Sequence, residues 1–147
     1  MTTEYLLDTN ACIAIRDLLA GKTPRDADRQ RRINTLRARW SQVSPDKLAM
    51  SQITLGELHF GVVKSKNPTS PAQFAKLRAV LAVVPLSDTA AEHYGQVRAH
   101  LESSGQPIGP NDTWIAALAL ATGRTVVTNN LGEFSRVPKL TVEDWTA

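Results

Sequence analysis

Very short apolar runs alternate along this chain with longer segments of helical period, and that alternation leaves few folds open. Tyr5-Leu6-Leu7, Leu48-Ala49-Met50, Val83-Val84, Val126-Val127-Thr128 and Leu140-Thr141-Val142 each read as a short strand. The spacing predicts helices over Thr9 to about Leu19, Asp26 to about Val43, and Ser51 or Gln52 to about Lys64. Further helices run from Pro71 or Ala72 to Leu81, from Ser87 or Asp88 to about Ser103, and from an Asn111 cap to Thr122, with Gly123 beyond the last. In the second helix Ile33, Leu36, Trp40 and Val43 recur at steps of 3, 4 and 3, so one face packs while its arginines face water. Residues 66–71 and 105–110 are loops, and Asn129 to Phe134 reads as a polar turn. Strands that alternate with helices imply an α/β fold with a mainly parallel sheet, since parallel neighbours need a crossover and a helix supplies it.

A chain of 147 residues suits one domain over 1–147, with no internal repeat and no linker. Hydrophobic residues at 42% and charged residues at 21% are ordinary globular usage and exclude wholesale disorder. The longest apolar run, Trp114 to Ala121, has eight residues, against about 20 for a bilayer-crossing helix. The start, Met-Thr-Thr-Glu-Tyr, has neither the basic nor the long apolar segment of a signal peptide, so a cytoplasmic protein is expected. One cysteine, Cys12, excludes an internal disulfide and a cysteine-based metal site. The net charge is only +3, yet Arg16 to Lys47 holds nine basic residues and four acids, a local +5. Such a patch fits nucleic acid or an acidic partner, and equally a solvated helix face.

Three acids stand where an α/β fold places its ligands. Asp8 ends the first strand, and the carboxyl ends of strands line the crevice of open α/β sheets. Glu57 lies on the helix after the second strand, and Asp112 opens the helix after Pro110-Asn111. Thr128-Asn129-Asn130 leaves another strand end. Taken singly, Asp8 reads as a helix cap, Glu57 as a solvated acid and Asp112 as a complement to the helix dipole. Only convergence favours a metal. Two carboxylates about 5 Å apart repel by about 3 kcal/mol at an effective dielectric of about 20, so a cluster needs protons or a cation. Carboxylates without thiolates or paired histidines suit Mg²⁺ or Mn²⁺, ions that activate water and neutralise a phosphodiester.

Leu7-Asp8-Thr9-Asn10, Ile53 to Leu58, Gly109 to Ala117, and Val127 to Asn130 with Glu133-Phe134 together resemble the PIN-domain ribonucleases. More narrowly they resemble the VapC toxins of bacterial type II toxin–antitoxin pairs, as does the ending from Glu133 to Trp145. The resemblance spans nearly the whole chain. It implies a PIN-like α/β/α sandwich with a short, mainly parallel sheet, and Mg²⁺- or Mn²⁺-dependent endonucleolytic cleavage of tRNA or rRNA. Asp8, Glu57 and Asp112 match the family's acidic positions, and Asn10 and Thr128 its polar ones. Many PIN domains carry a fourth acid where this chain has Asn130, so either Asn130 or Glu133 completes the site. The basic stretch, with Arg29, Arg32 and Arg39 foremost, grips RNA or contacts the antitoxin. The resemblance further implies a homodimer within a larger complex, a VapB-type antitoxin, and promoter DNA reached through that antitoxin.

Other features carry less. His59, His93 and His100 lack ligand-like pairing, and Cys12 reads as a packed small residue. Trp40, Trp114 and Trp145 could stack on bases, although core or dimer contacts suit Trp40 and Trp114 better. Two other functions stand beside the nuclease: a PIN-like module that binds RNA or a partner without cutting, and a phosphohydrolase with Asp8 as nucleophile. The second is disfavoured by Asn10, where such chemistry wants another acid.

Overall fold

The computed structural model describes residues 4–147. Strand β1 (Tyr5–Leu7) lies at the centre of a five-stranded sheet, between β2 (Leu48–Ser51) and β4 (Thr125–Val127). Strands β3 (Ala82–Val84) and β5 (Val142–Glu143) form the edges, giving the order β3-β2-β1-β4-β5. Every pairing is parallel: Leu6 stands opposite Ala49 and Val126, and Leu7 opposite Met50 and Val127.

Both faces of the sheet are covered, which is why its central strands are apolar at consecutive positions. Leu6, Ala49 and Val126 face one core, completed by α5 (Asp88–Ser103), α6 (Pro110–Thr122) and α7 (Leu131–Phe134). Leu7, Leu48, Met50 and Val127 face the other. That side is closed by α1 (Thr9–Leu19), α2 (Ala27–Gln42), α3 (Gln52–Lys64) and α4 (Ser70–Val80). Ile115 to Ala119 are buried without a break, so α6 is apolar nearly all round and serves as a central helix. It ends at Gly123, whose φ of 66° is the left-handed conformation that lets the Gly123 and Arg124 amides reach Ala119 O.

The expected α/β/α layering is present, and the sheet is wholly rather than mainly parallel. Local boundaries differ in three informative places. Helix α6 begins at Pro110 with Gly109 as its cap, two residues before the start that an Asn111 cap implies, because proline's fixed φ already suits a first helical position. Asn111 is exposed in the first turn and is not the cap. The expected polar turn at 129–134 closes into α7, pulled in by Phe134, which is fully buried. The last strand is Val142–Glu143, two residues later than expected, in register with Val126 and Val127. Among the described residues no helix is long and apolar enough to cross a membrane.

Candidate nuclease site

From β1 the chain moves outward to β2 and β3, then returns to place β4 on the other side of β1. The switch point therefore lies between β1 and β4, and Asp8 and Thr128 follow those two strands directly. They meet there: Thr128 Oγ1 donates to Asp8 Oδ2 at 2.5 Å. Asp8 Oδ1 accepts from Ala11 N at 2.8 Å, so Asp8 is a helix cap as well as a crevice residue, and the two readings of it coexist. Burial raises its pKa, while the bonds from Thr128 and Ala11 oppose the shift and Glu57 and Asp144 add to it.

Glu57 is held by a relay of hydroxyls. Thr9 Oγ1 donates to Glu57 Oε1 at 2.7 Å and lies 3.2 Å from Thr54 Oγ1. Ser51 Oγ donates to Thr54 Oγ1 at 3.3 Å. With Thr9's proton committed to Glu57, the Thr54 hydroxyl must donate to Thr9. The same Ser51 oxygen caps α3 by accepting from Thr54 N.

Asp112, half-buried in the first turn of α6, has its pKa pushed up to about 6. Burial is the main cause, followed by the charges of Asp8, Glu133 and Glu57 and a hydrogen bond shared with Glu133. Glu133 also accepts from Asn130 Nδ2 at 2.9 Å, and Asn130 N donates to Thr128 Oγ1 at 2.9 Å. The expected acids thus share one electrostatic neighbourhood, joined by Thr128, Asn130 and Glu133. Asn10 is exposed on α1 and bonds to none of these acids. Asp144, which follows β5 and acts electrostatically on Asp8, was not singled out by its sequence context. Its position just past a strand end was the available signal.

Among the described residues none of Asp8, Glu57, Asp112 or Glu133 pairs with a lysine, arginine or histidine. Like charges lacking a counter-cation, with oxygen donors only, fit a hard divalent ion in chemistry and charge. They are not a closed cage: among the described residues no three acids, histidines or cysteines are gathered closely enough to hold an ion as they stand.

A groove of about 550 Å³ runs beside this pocket. Lys22, Arg29 and Arg32 line it above Ala14, Ile33 and Leu36, and Asn129, next to Thr128, lies along it. Arg32 also pairs with Asp28 at 3.3 Å. Arg39 stands apart: its guanidinium pairs with Glu143 at 3.1 Å and lies 5.3 Å from the Trp145 ring centre, stitching α2 to β5. Trp145 is buried edge-on to Tyr5, and Trp114 stacks on Tyr94. His59 packs edge-on to Phe74. Cys12 is buried, and burial together with Asp8 drives its thiol pKa well up, as befits a packing residue.

Residues 5–140 match the PIN domain family. The chain belongs to that family. Within it, this PIN domain is 37% identical to the tRNA(fMet)-specific endonuclease VapC of Salmonella typhimurium, over 97% of its own length and 98% of the relative's. It superposes on the crystal structure of DNA-bound VapBC from Salmonella typhimurium with a TM-score of 0.80 at 36% identity, covering 97% and 98% of the two chains. The Rickettsia felis VapBC2 structure, bound to a fragment of its promoter DNA, gives 0.78 at 31% identity with 99% of both chains covered. The PIN domain is accordingly of the VapC type.

Proposed function

We propose that this PIN domain, spanning residues 1–147, is the toxin of a toxin–antitoxin pair and a Mg²⁺-dependent endoribonuclease, with Mn²⁺ as an alternative ion. One observation carries the reading: the carboxylates of Asp8, after β1, and of α3, α6 and α7 act on one another at the strand ends without a cationic partner, and Asn129, the residue after Thr128, lies along a groove lined by Lys22, Arg29 and Arg32. Asp8, Glu57 and Asp112 hold the ion, and Glu133, through its contact with Asp112, completes the set in preference to Asn130. When bound, the ion supplies charge neutralisation and water activation for in-line attack on a phosphodiester. Thr128 fixes the orientation of Asp8, and the Ser51-Thr54-Thr9 relay fixes Glu57. Asn10, exposed at the rim, is left to contact substrate.

Lys22, Arg29 and Arg32 hold RNA phosphates along the groove, while Arg39 anchors β5 rather than substrate. The substrate class is structured RNA, tRNA or rRNA, in keeping with the name of the Salmonella relative. The partner is a VapB-type antitoxin, the protein works as a homodimer within that complex, and promoter DNA is met through the antitoxin, in line with the DNA-bound VapBC neighbours. The setting is the bacterial cytoplasm.

The test is cleavage of end-labelled tRNA and rRNA with Mg²⁺, with EDTA, and by Asp8→Asn. Discrete products are expected with Mg²⁺ alone, with a loss of about 10²-fold or more in the variant. RNA binding that needs no metal and yields no products would replace this reading with the non-cutting module.

A further inference from the structure

Asn130 occupies a position where an acid would serve a charge-counting view of the pocket better. Yet it is the residue through which the two sides of the pocket touch. Its backbone amide donates to Thr128 Oγ1 at 2.9 Å, and the Thr128 hydroxyl in turn donates a hydrogen bond to buried Asp8 at 2.5 Å. Its side-chain Nδ2 donates to Glu133 Oε2 at 2.9 Å, and Glu133 in turn shares a hydrogen bond with Asp112. A path thus runs from the end of β1, across the switch point, through Asn130 to α7 and on to the first turn of α6. Asn130 is half-buried, at the position that caps α7.

We propose that Asn130 is a positioning residue: its neutral amide steers Glu133 toward Asp112 while its main chain locks Thr128 onto Asp8. The inference rests on the metal-binding reading above and goes further, because it assigns a purpose to the amide itself. A carboxamide has a donor to offer a carboxylate; an ionised carboxylate has none. Aspartate at 130 would turn an attraction toward Glu133 into a repulsion and push Glu133 out of the pocket. Charge counting and steering therefore disagree in sign for one substitution. An added carboxylate should strengthen cation binding by its charge, and should weaken it if Glu133 has to be steered.

The experiment is Mn²⁺ titration of the purified chain, followed by the loss of the free-ion electron paramagnetic resonance signal. The proteins are wild type, Asn130→Asp, Asn130→Ala, Glu133→Gln and the Asn130→Ala/Glu133→Gln double variant, each checked for an unchanged melting profile. Asn130→Asp and Asn130→Ala are each expected to weaken Mn²⁺ binding by about tenfold, the usual consequence of losing an outer partner of a ligand. The double variant should bind no more weakly than Glu133→Gln, since Asn130 acts through Glu133. If Asn130→Asp fails to fold, Asn130→Ala and the double variant decide the matter. Binding by Asn130→Asp as tight as wild type, or fully additive losses in the double variant, would overturn the steering role and leave the nuclease reading standing. Wild-type protein that binds no Mn²⁺ would overturn both.

Discussion

Asp112 carries its proton up to about pH 6, well above the usual 3.8, because it is partly buried among Asp8, Glu133 and Glu57. The folded protein therefore binds more protons than the unfolded chain between about 3.8 and 6, so this group's contribution to stability falls as pH rises through that window. Metal-free Asp112→Asn should melt at a higher temperature than wild type at pH 7.5, and the difference should vanish near pH 3.5. Calorimetry in EDTA at the two pH values checks it. The same proton competes with a cation, so wild-type Mn²⁺ affinity should fall progressively below pH 6. Asp8, Glu57 and Asp112 were legible as candidates because each sits at a strand end or early in a helix. Glu133 was not placeable, since its direction depends on α7, and four residues carry no periodic signal of their own.

Helix α3 ties local structure to the pocket through a single hydroxyl. Ser51 Oγ accepts from Thr54 N and donates to Thr54 Oγ1, at the head of the relay that ends on Glu57. Ser51→Ala should cost about 1 kcal/mol of unfolding free energy, the ordinary worth of a helix cap, measured by urea denaturation. The longer elements were readable from sequence because their signals reinforce one another: Asp26, read as the first residue of α2, is its cap, Ser87 of the pair Ser87 and Asp88 caps α5, and Gly123 ends α6. The shortest elements were not. Two-residue β5 is fixed by pairing with β4 rather than by its own residues, and α7 exists because Phe134 must reach the core.

Across the whole molecule, arginines of α2 line a groove that reaches Asn129, the residue after Thr128, a proximity that linear charge counting cannot reveal. Reversing Arg29 and Arg32 together to glutamate should weaken RNA binding whatever the RNA sequence. It should also reduce the slope of log K against log salt by about 2, one for each phosphate that no longer meets an arginine, as filter binding at several salt concentrations would measure. The α/β class was legible from alternation alone, whereas the strand order was not. Nothing local tells β4 to return beside β1, and that return creates the switch point. It has a consequence in time. Asp8 is made near the start of synthesis, but the hydroxyl that orients it lies 120 residues later, and Asp112 waits for Glu133. A growing chain on the ribosome, surrounded by RNA, therefore holds only fragments of the blade; it is sharpened when the last strands are laid down.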